Sequence, residues 1–231
     1  MSLLKPISIS ISRSICISLL LIFAISGMGQ KRKIAIPQPK DTTRLFRHVS
    51  VSVDLAGPLQ LKFSDYGQYE VAARINLRDK YFPVIELGYG QADSEDINTK
   101  LHYTSKAPYG RLGMDFNILK NKHDDYRLYA GFRYGYTNFK YSVSHPGLTD
   151  PVWGTTIPYA LNDIPWQAHW LEGVFGVEAK IWGPFHLGWS VRYKRMLTQT
   201  KNPSGDAWYI PGYGRNGGTR FGGTFNVIIE I

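Results

Sequence analysis

From Val49 to the C-terminus, apolar side chains recur at every second position in eight separate runs. Successive side chains of a strand point to opposite faces, so a period of two reads as a strand with one apolar and one polar face. The first run sets Val49, Val51, Val53 and Leu55 against Ser50, Ser52, Asp54 and Ala56; the second sets Tyr69, Val71, Ala73, Ile75 and Leu77 against Glu70, Ala72, Arg74 and Asn76. Tyr81, Ile85, Leu87 and Tyr89 oppose Glu86, Gly88 and Gly90, and Leu112, Met114, Phe116 and Ile118 oppose Arg111, Gly113, Asp115 and Asn117. The fifth run places Leu128, Phe132, Tyr134 and Tyr136 against Arg127, Tyr129, Arg133 and Gly135, and the sixth Leu171, Phe175, Val177 and Ile181 against Glu172, Gly176, Glu178 and Lys180. The seventh alternates Phe185, Leu187, Trp189, Val191 and Tyr193 with His186, Gly188, Ser190, Arg192 and Lys194; the last alternates Phe221, Phe225, Val227 and Ile229 with Gly222, Thr224, Asn226 and Glu230.

Short links, at 78–80, 120–124 and 182–184, alternate with long ones at 57–67, 91–101, 141–165 and 198–217. That asymmetry predicts an all-β, eight-stranded antiparallel up-and-down transmembrane β-barrel over residues 46–231, with short periplasmic turns and long outer loops. Alternation alone leaves open whether the apolar face points inward or into lipid. Two features favour lipid. Aromatics stand near the strand ends of the apolar face, at Tyr69, Tyr89, Tyr136, Tyr193 and Phe221 on one side and Tyr81, Tyr126 and Phe185 on the other, as two interfacial girdles would. The polar face interleaves charges with eight glycines, Gly88, Gly90, Gly113, Gly131, Gly135, Gly176, Gly188 and Gly222, which a crowded lumen needs and a solvated face does not.

The N-terminal segment adds an address. Lys5 and Arg13 precede an apolar stretch, 15–25, that gives way to small residues up to Gly29. This is the order of a secretory signal, here 1–29, and the stretch is shorter than the roughly 20 residues of a spanning helix. Residues 30–45 are basic, contain two prolines and read as a linker. With 27 Lys+Arg, 18 Asp+Glu and a net charge of +9, removal of the two basic residues of the signal leaves 9 − 2 = +7. Nucleic acid is not an expected partner behind a secretion signal; outer-membrane lipid is. The single cysteine, Cys16, falls inside the signal, which excludes a disulfide scaffold and a thiolate metal site.

The polar face carries seven acids, Asp54, Glu70, Glu86, Asp115, Glu172, Glu178 and Glu230, and seven bases, Arg74, Arg111, Arg127, Arg133, Lys180, Arg192 and Lys194. Buried charges are tolerated when paired, so this balance predicts a closed, salt-bridged structural lumen, whereas an ion-selective pore shows an excess of one sign. As one inward residue among many, Arg192 is expected to tolerate replacement by Gln. Ser142, Ser144, His102, His145 and His169 are the candidates for outer-rim catalysis or metal binding, but no spacing joins a nucleophile, a base and an acid, or a set of ligands. No catalytic residue, cofactor or metal is therefore expected. The long loops are the better functional surface: Trp153 and Tyr159 in the third, and Trp208, Tyr209 and Tyr213 in the fourth, are candidate contacts for an extracellular glycan or protein, or else a plug over the mouth.

The segments AHWLEG (168–173), FHLGWSVRYKRML (185–197), YIPGYGR (209–215), RLGMDFNI (111–118) and YAGFRYGYTNF (129–139) resemble a bacterial outer-membrane β-barrel family, domain of unknown function 6048. The resemblance implies the barrel and brings no activity or catalytic residue. The reading is thus a monomeric, signal-bearing outer-membrane barrel of a Gram-negative envelope, porin-like in fold but closed, with a surface-binding or envelope-structural role through its loops. Two alternatives stand beside it: a rim-located lipid-modifying enzyme, and a soluble periplasmic barrel carrying an apolar ligand.

Overall fold

The computed structural model describes residues 44–149, 152–154, 156–203 and 205–231. The expected signal, and the linker up to residue 43, lie outside the described residues. The chain runs through β1 (Phe46–Asp54), a helix α1 (Ala56–Phe63), β2 (Tyr66–Leu77), β3 (Tyr81–Glu95), β4 (His102–Asn117), β5 (Tyr126–Thr149), β6 (Thr156–Trp182) and β7 (Phe185–Gln199). Two short strands, β8 (Tyr209–Ile210) and β9 (Gly214–Arg215), precede β10 (Thr219–Glu230). Each long strand pairs antiparallel with the next in sequence, and β10 closes the ring by pairing with both β7 and β1, so β1 to β7 and β10 form one eight-stranded closed barrel. All eight alternating runs fall on these strands, save that Leu55 and Ala56 of the first lie past the end of β1 and Ile118 of the fourth past the end of β4.

Local chemistry sets the short turns. The β2–β3 hairpin turns on Arg78 and Asp79, both with positive φ (56° and 52°), the conformation that matches the right-handed twist of the flanking strands. Asp79 is held there by Asn76, whose side chain both accepts from its amide (2.8 Å) and donates to its carboxylate (2.6 Å).

The exterior of the barrel is apolar. Val71, Leu87, Leu112, Phe132, Phe175 and Val191 all stand exposed on its outside, between rings of exposed tyrosine and phenylalanine at Tyr69, Tyr89, Tyr136 and Tyr193 above and Tyr81, Tyr126 and Phe185 below. The interior is layered. Near the short turns lie Phe82, Tyr129 and a charged cluster; a second charged layer follows; toward the long-loop end the interior becomes aromatic, with Tyr103, Phe139, Tyr141, Trp166 and Trp170 buried. Glycines make room for these rings. A Cβ at Gly135 would lie 2.2 Å from the Trp170 ring, and one at Gly176 2.5 Å from the Tyr129 ring.

The structure corrects the loop boundaries. Residues 141–165, expected as a long loop, are mostly strand, because β5 and β6 continue as a two-stranded arm. β3 and β4 likewise shorten the second outer link to 96–101. At 27 residues β6 far exceeds the roughly 9 to 11 that a tilted span needs. The reason lies in the apolar face, which changes sides: below Thr137 the apolar side chains of β5 point outward, whereas Phe139 and Tyr141 above it are buried inside. β6 repeats the exchange, from outward Phe175 and Leu171 to inward Trp170, Trp166 and Ile164.

One part of the wall is incomplete. β1 has only 9 residues; its register with β10 ends at Asp54↔Asn226 and with β2 at Val53↔Val71. The chain then leaves the wall as α1, which packs against β2 and β10. The Asp54 carboxylate fixes this exit by accepting from the amides of Ala56 (3.1 Å), Gly57 (3.0 Å) and Phe225 (3.0 Å).

Candidate functional site: lumen, mouth and arm

The barrel brings inward charges from seven strands into two connected layers. In the upper layer Arg192 of β7 reaches Glu86 of β3 with both terminal nitrogens (2.6 and 3.2 Å), Glu70 of β2 (3.2 Å) and Glu172 of β6 (3.4 Å). Arg111 of β4 pairs with Glu70, with Glu86 (3.0 Å) and with Glu172 (2.8 Å). Arg133 of β5 holds Asp115 with two nitrogens (2.8 and 2.9 Å) and donates to Glu86 (2.9 Å). Paired forks of this kind are the strongest geometry for a buried guanidinium.

In the lower layer Arg74 pairs with Glu178 and approaches Asp115 (3.6 Å), which joins the two layers. Arg127 bridges Glu178 (2.7 Å) and Glu230. His186 lies between these carboxylates, each ring nitrogen 3.3 Å from one of them, and His48 reaches Glu230 at 2.8 Å. Glu178, His186 and Glu230 offer three ligand atoms within 4.8 Å of one another. Both carboxylates already carry guanidinium partners, which satisfy them as ion pairs.

Eleven of the fourteen residues expected to form the charged lumen share this network. Asp54 instead serves the α1 exit, Lys194 donates to the carbonyls of Gly212 (2.7 Å) and Tyr213 (3.2 Å), and Lys180 is exposed. The position of Arg192 argues against the expectation that Arg192→Gln is mild. Arg192 is buried against three glutamates, so its removal strands their charges. Between the layers the remaining cavity is about 30 Å³, room for about one water.

The outer mouth is filled by the fourth long link. Tyr209, Ile210 and Tyr213 are essentially fully buried, among Tyr103, Tyr141, Trp166 and Trp170. Tyr103 Oη donates to the Tyr209 carbonyl (2.9 Å), Tyr209 Oη to the Gly67 carbonyl (3.0 Å), and Arg111 to the Gly212 carbonyl (2.6 Å). Tyr209 and Tyr213 are thus placed inside the mouth rather than on a loop surface, and Trp208 packs against the same core. The arm presents the other two candidates outward: Trp153 is 82% exposed and Tyr159 39%, with Val152 and Ile157 beside them also exposed.

The rim histidines are not brought together. His169 faces outward against Tyr134 Oη (2.6 Å) and the Tyr136 ring, His102 pairs with Asp93 (2.7 Å), and His145 accepts from the Gly147 amide (3.0 Å). Ser142 Oγ accepts from the Asp163 amide, while Ser144 stands opposite His102 in the β4–β5 register. None of these forms a nucleophile–base–acid chain.

Sequence reasoning missed a cluster at the short-turn end. Asp79 is buried there between Arg47, Asn76 and His123, whose Nδ1 lies 2.6 Å from its carboxylate. Burial raises the Asp79 pKa, but hydrogen bonds from Asn76 and His123 and the charge of Arg47 outweigh it and hold the carboxyl below its ordinary value. The signal was the Asn-x-x-Asp spacing of 76–79 across a two-residue link.

The sequence matches the profile of a domain of unknown function (DUF6048) over residues 11–230. No curated protein matches it. Among solved structures it is similar to Ail, the attachment invasion locus protein of Yersinia pestis, in complex with the heparin analogue sucrose octasulfate. That match has a TM-score of 0.40 and 10% identity and covers 79% of this chain and 97% of Ail. Neisserial surface protein A (NspA) matches with a TM-score of 0.39 and 11% identity over 80% of this chain and 95% of its own.

Proposed function

The chain belongs to the DUF6048 family, and from that premise we propose that it is a non-conducting outer-membrane barrel that displays the β5–β6 arm at the cell surface as a binding element. The observation that carries this reading is the inversion of the barrel, with charges inside and a continuous apolar exterior between two aromatic rings. In water such an exterior would drive aggregation; in a bilayer it is the required surface. The layered ion pairs and the Tyr209–Tyr213 segment above them support a closed lumen. A soluble carrier of apolar ligands would need an apolar cavity within the barrel, and the cavity between the charged layers is both polar-lined and too small.

Exposed tryptophan, isoleucine and tyrosine on the β5–β6 arm and its connection suit stacking on a glycan or docking on a protein. Planar-bilayer recording tests the closed lumen. The purified protein should add no steady conductance, and a stable single-channel current would contradict closure.

A further inference from the structure

We propose that the incomplete seam between β1 and β10 binds the phosphate-bearing headgroup of an anionic lipid, with an acyl chain laid along the outer wall beside β10. The proposal rests on the membrane reading above.

The first observation is the seam itself. Beyond Asp54 the wall has no strand between β10 and β2, and the last bond across it runs from the Leu55 amide to the Phe225 carbonyl (2.8 Å). The Thr219–Thr224 edge of β10 therefore pairs on one side only, with β7. Within a bilayer, an unpaired strand edge is tolerated only where it faces protein or a cavity that supplies polar partners. α1 fills part of the seam, and a cavity of about 480 Å³ opens beside it.

The second observation is the charge of that cavity. Its lining includes Arg111, Arg192, Lys194, Arg215 and Arg220, and no carboxylate. Glu70, Glu86 and Glu172 neutralise Arg111 and Arg192 from the lumen side. Among the described residues the other three have no ion pair: Lys194 and Arg220 donate to backbone carbonyls, and Arg215 lies over the Trp208 ring. Lys194 and Arg220 also stand directly opposite one another in the β7–β10 register, and like charges so placed repel. Arg192, buried, keeps an Nε–H without an acceptor.

The third observation is apolar continuity. On the outer wall Phe175, Val177, Trp189, Val191 and Phe225 line a groove of about 510 Å³, which shares Ala56, Gly223 and Thr224 with the basic cavity. A soluble anion would use only the cavity. An amphiphile with a phosphate at one end fills both, its phosphate accepting from the guanidinium groups as charge-assisted bonds allow.

The test is native mass spectrometry of the folded full-length barrel titrated with phosphatidylglycerol and with phosphatidylcholine of the same chains. The wild type should retain phosphatidylglycerol about tenfold or more over phosphatidylcholine, the fold-change expected for one or two charged hydrogen bonds. Arg215→Gln with Arg220→Gln should abolish that preference, and Arg215→Lys with Arg220→Lys should keep most of it while the barrel stays folded in both. A folded wild-type barrel without preference would overturn the seam site alone. Equal competition by soluble glycerol phosphate would overturn the lipid assignment. A chain that remains soluble without detergent would overturn the membrane reading and the seam site together.

Discussion

At the scale of single residues, the lumen is governed by the difference between a charge that is paired and one that is left behind. Arg192 touches Glu70, Glu86 and Glu172, all buried. Truncating one partner of a buried ion cluster costs about 3–5 kcal/mol, so Arg192→Gln should lower the unfolding free energy of the detergent-folded barrel, measured by urea titration, by an amount of that order. A change below about 1 kcal/mol would mean that the pairs contribute as little as surface salt bridges do. Asp79 makes a different prediction. Its pKa is depressed in the folded turn, so its contribution is complete above the usual carboxylate range and is lost as pH falls through the depressed value. The stability difference between wild type and Asp79→Asn should therefore shrink on acidification; a difference that is constant from neutral to acid pH would refute the assignment.

At the scale of elements, what the sequence made legible and what it hid divide along the membrane boundary. All eight strands were readable where the outward face is apolar and the inward face charged, because the two faces then differ in kind. Beyond Thr137 in β5 the outward face becomes polar and the apolar residues turn inward as Phe139 and Tyr141. The period of two survives, but its phase shifts by one residue, so the segment resembles a loop with scattered aromatics. The lumen charges were legible as a set because their parity is fixed by the strands; their partners were not, since Arg111 of β4 and Glu172 of β6 meet only when the sheet closes. The fourth link could be read only as rich in aromatics, and its entry into the mouth depends on the glycine and carbonyl contacts of 209–213. The arm supplies the test at this scale. Trp153→Cys, in a mature chain expected to lack other cysteines, should react with a membrane-impermeant maleimide on intact cells. Protection until the outer membrane is opened would place the arm on the periplasmic side.

At the scale of the whole molecule, the fold is a barrel turned inside out relative to a soluble protein: ion pairs where a core would be, and Val71, Leu87, Phe132, Phe175 and Val191 where water would be. Each feature demands the other. Charges from opposite strands can be satisfied only if the sheet closes around them, and closure leaves the apolar face no place but outside, where lipid alone accepts it. The seam beside β1, with its basic lining, and the mouth, with its aromatic core, are then the two places where this plan is interrupted. The most direct measurement is electrophoretic mobility of the outer-membrane fraction with and without boiling. A closed lipid-facing barrel held by its internal ion pairs should stay folded in cold detergent and shift its mobility only after heating. A single, heat-insensitive band recovered in the soluble periplasmic fraction would contradict the apolar-outside account.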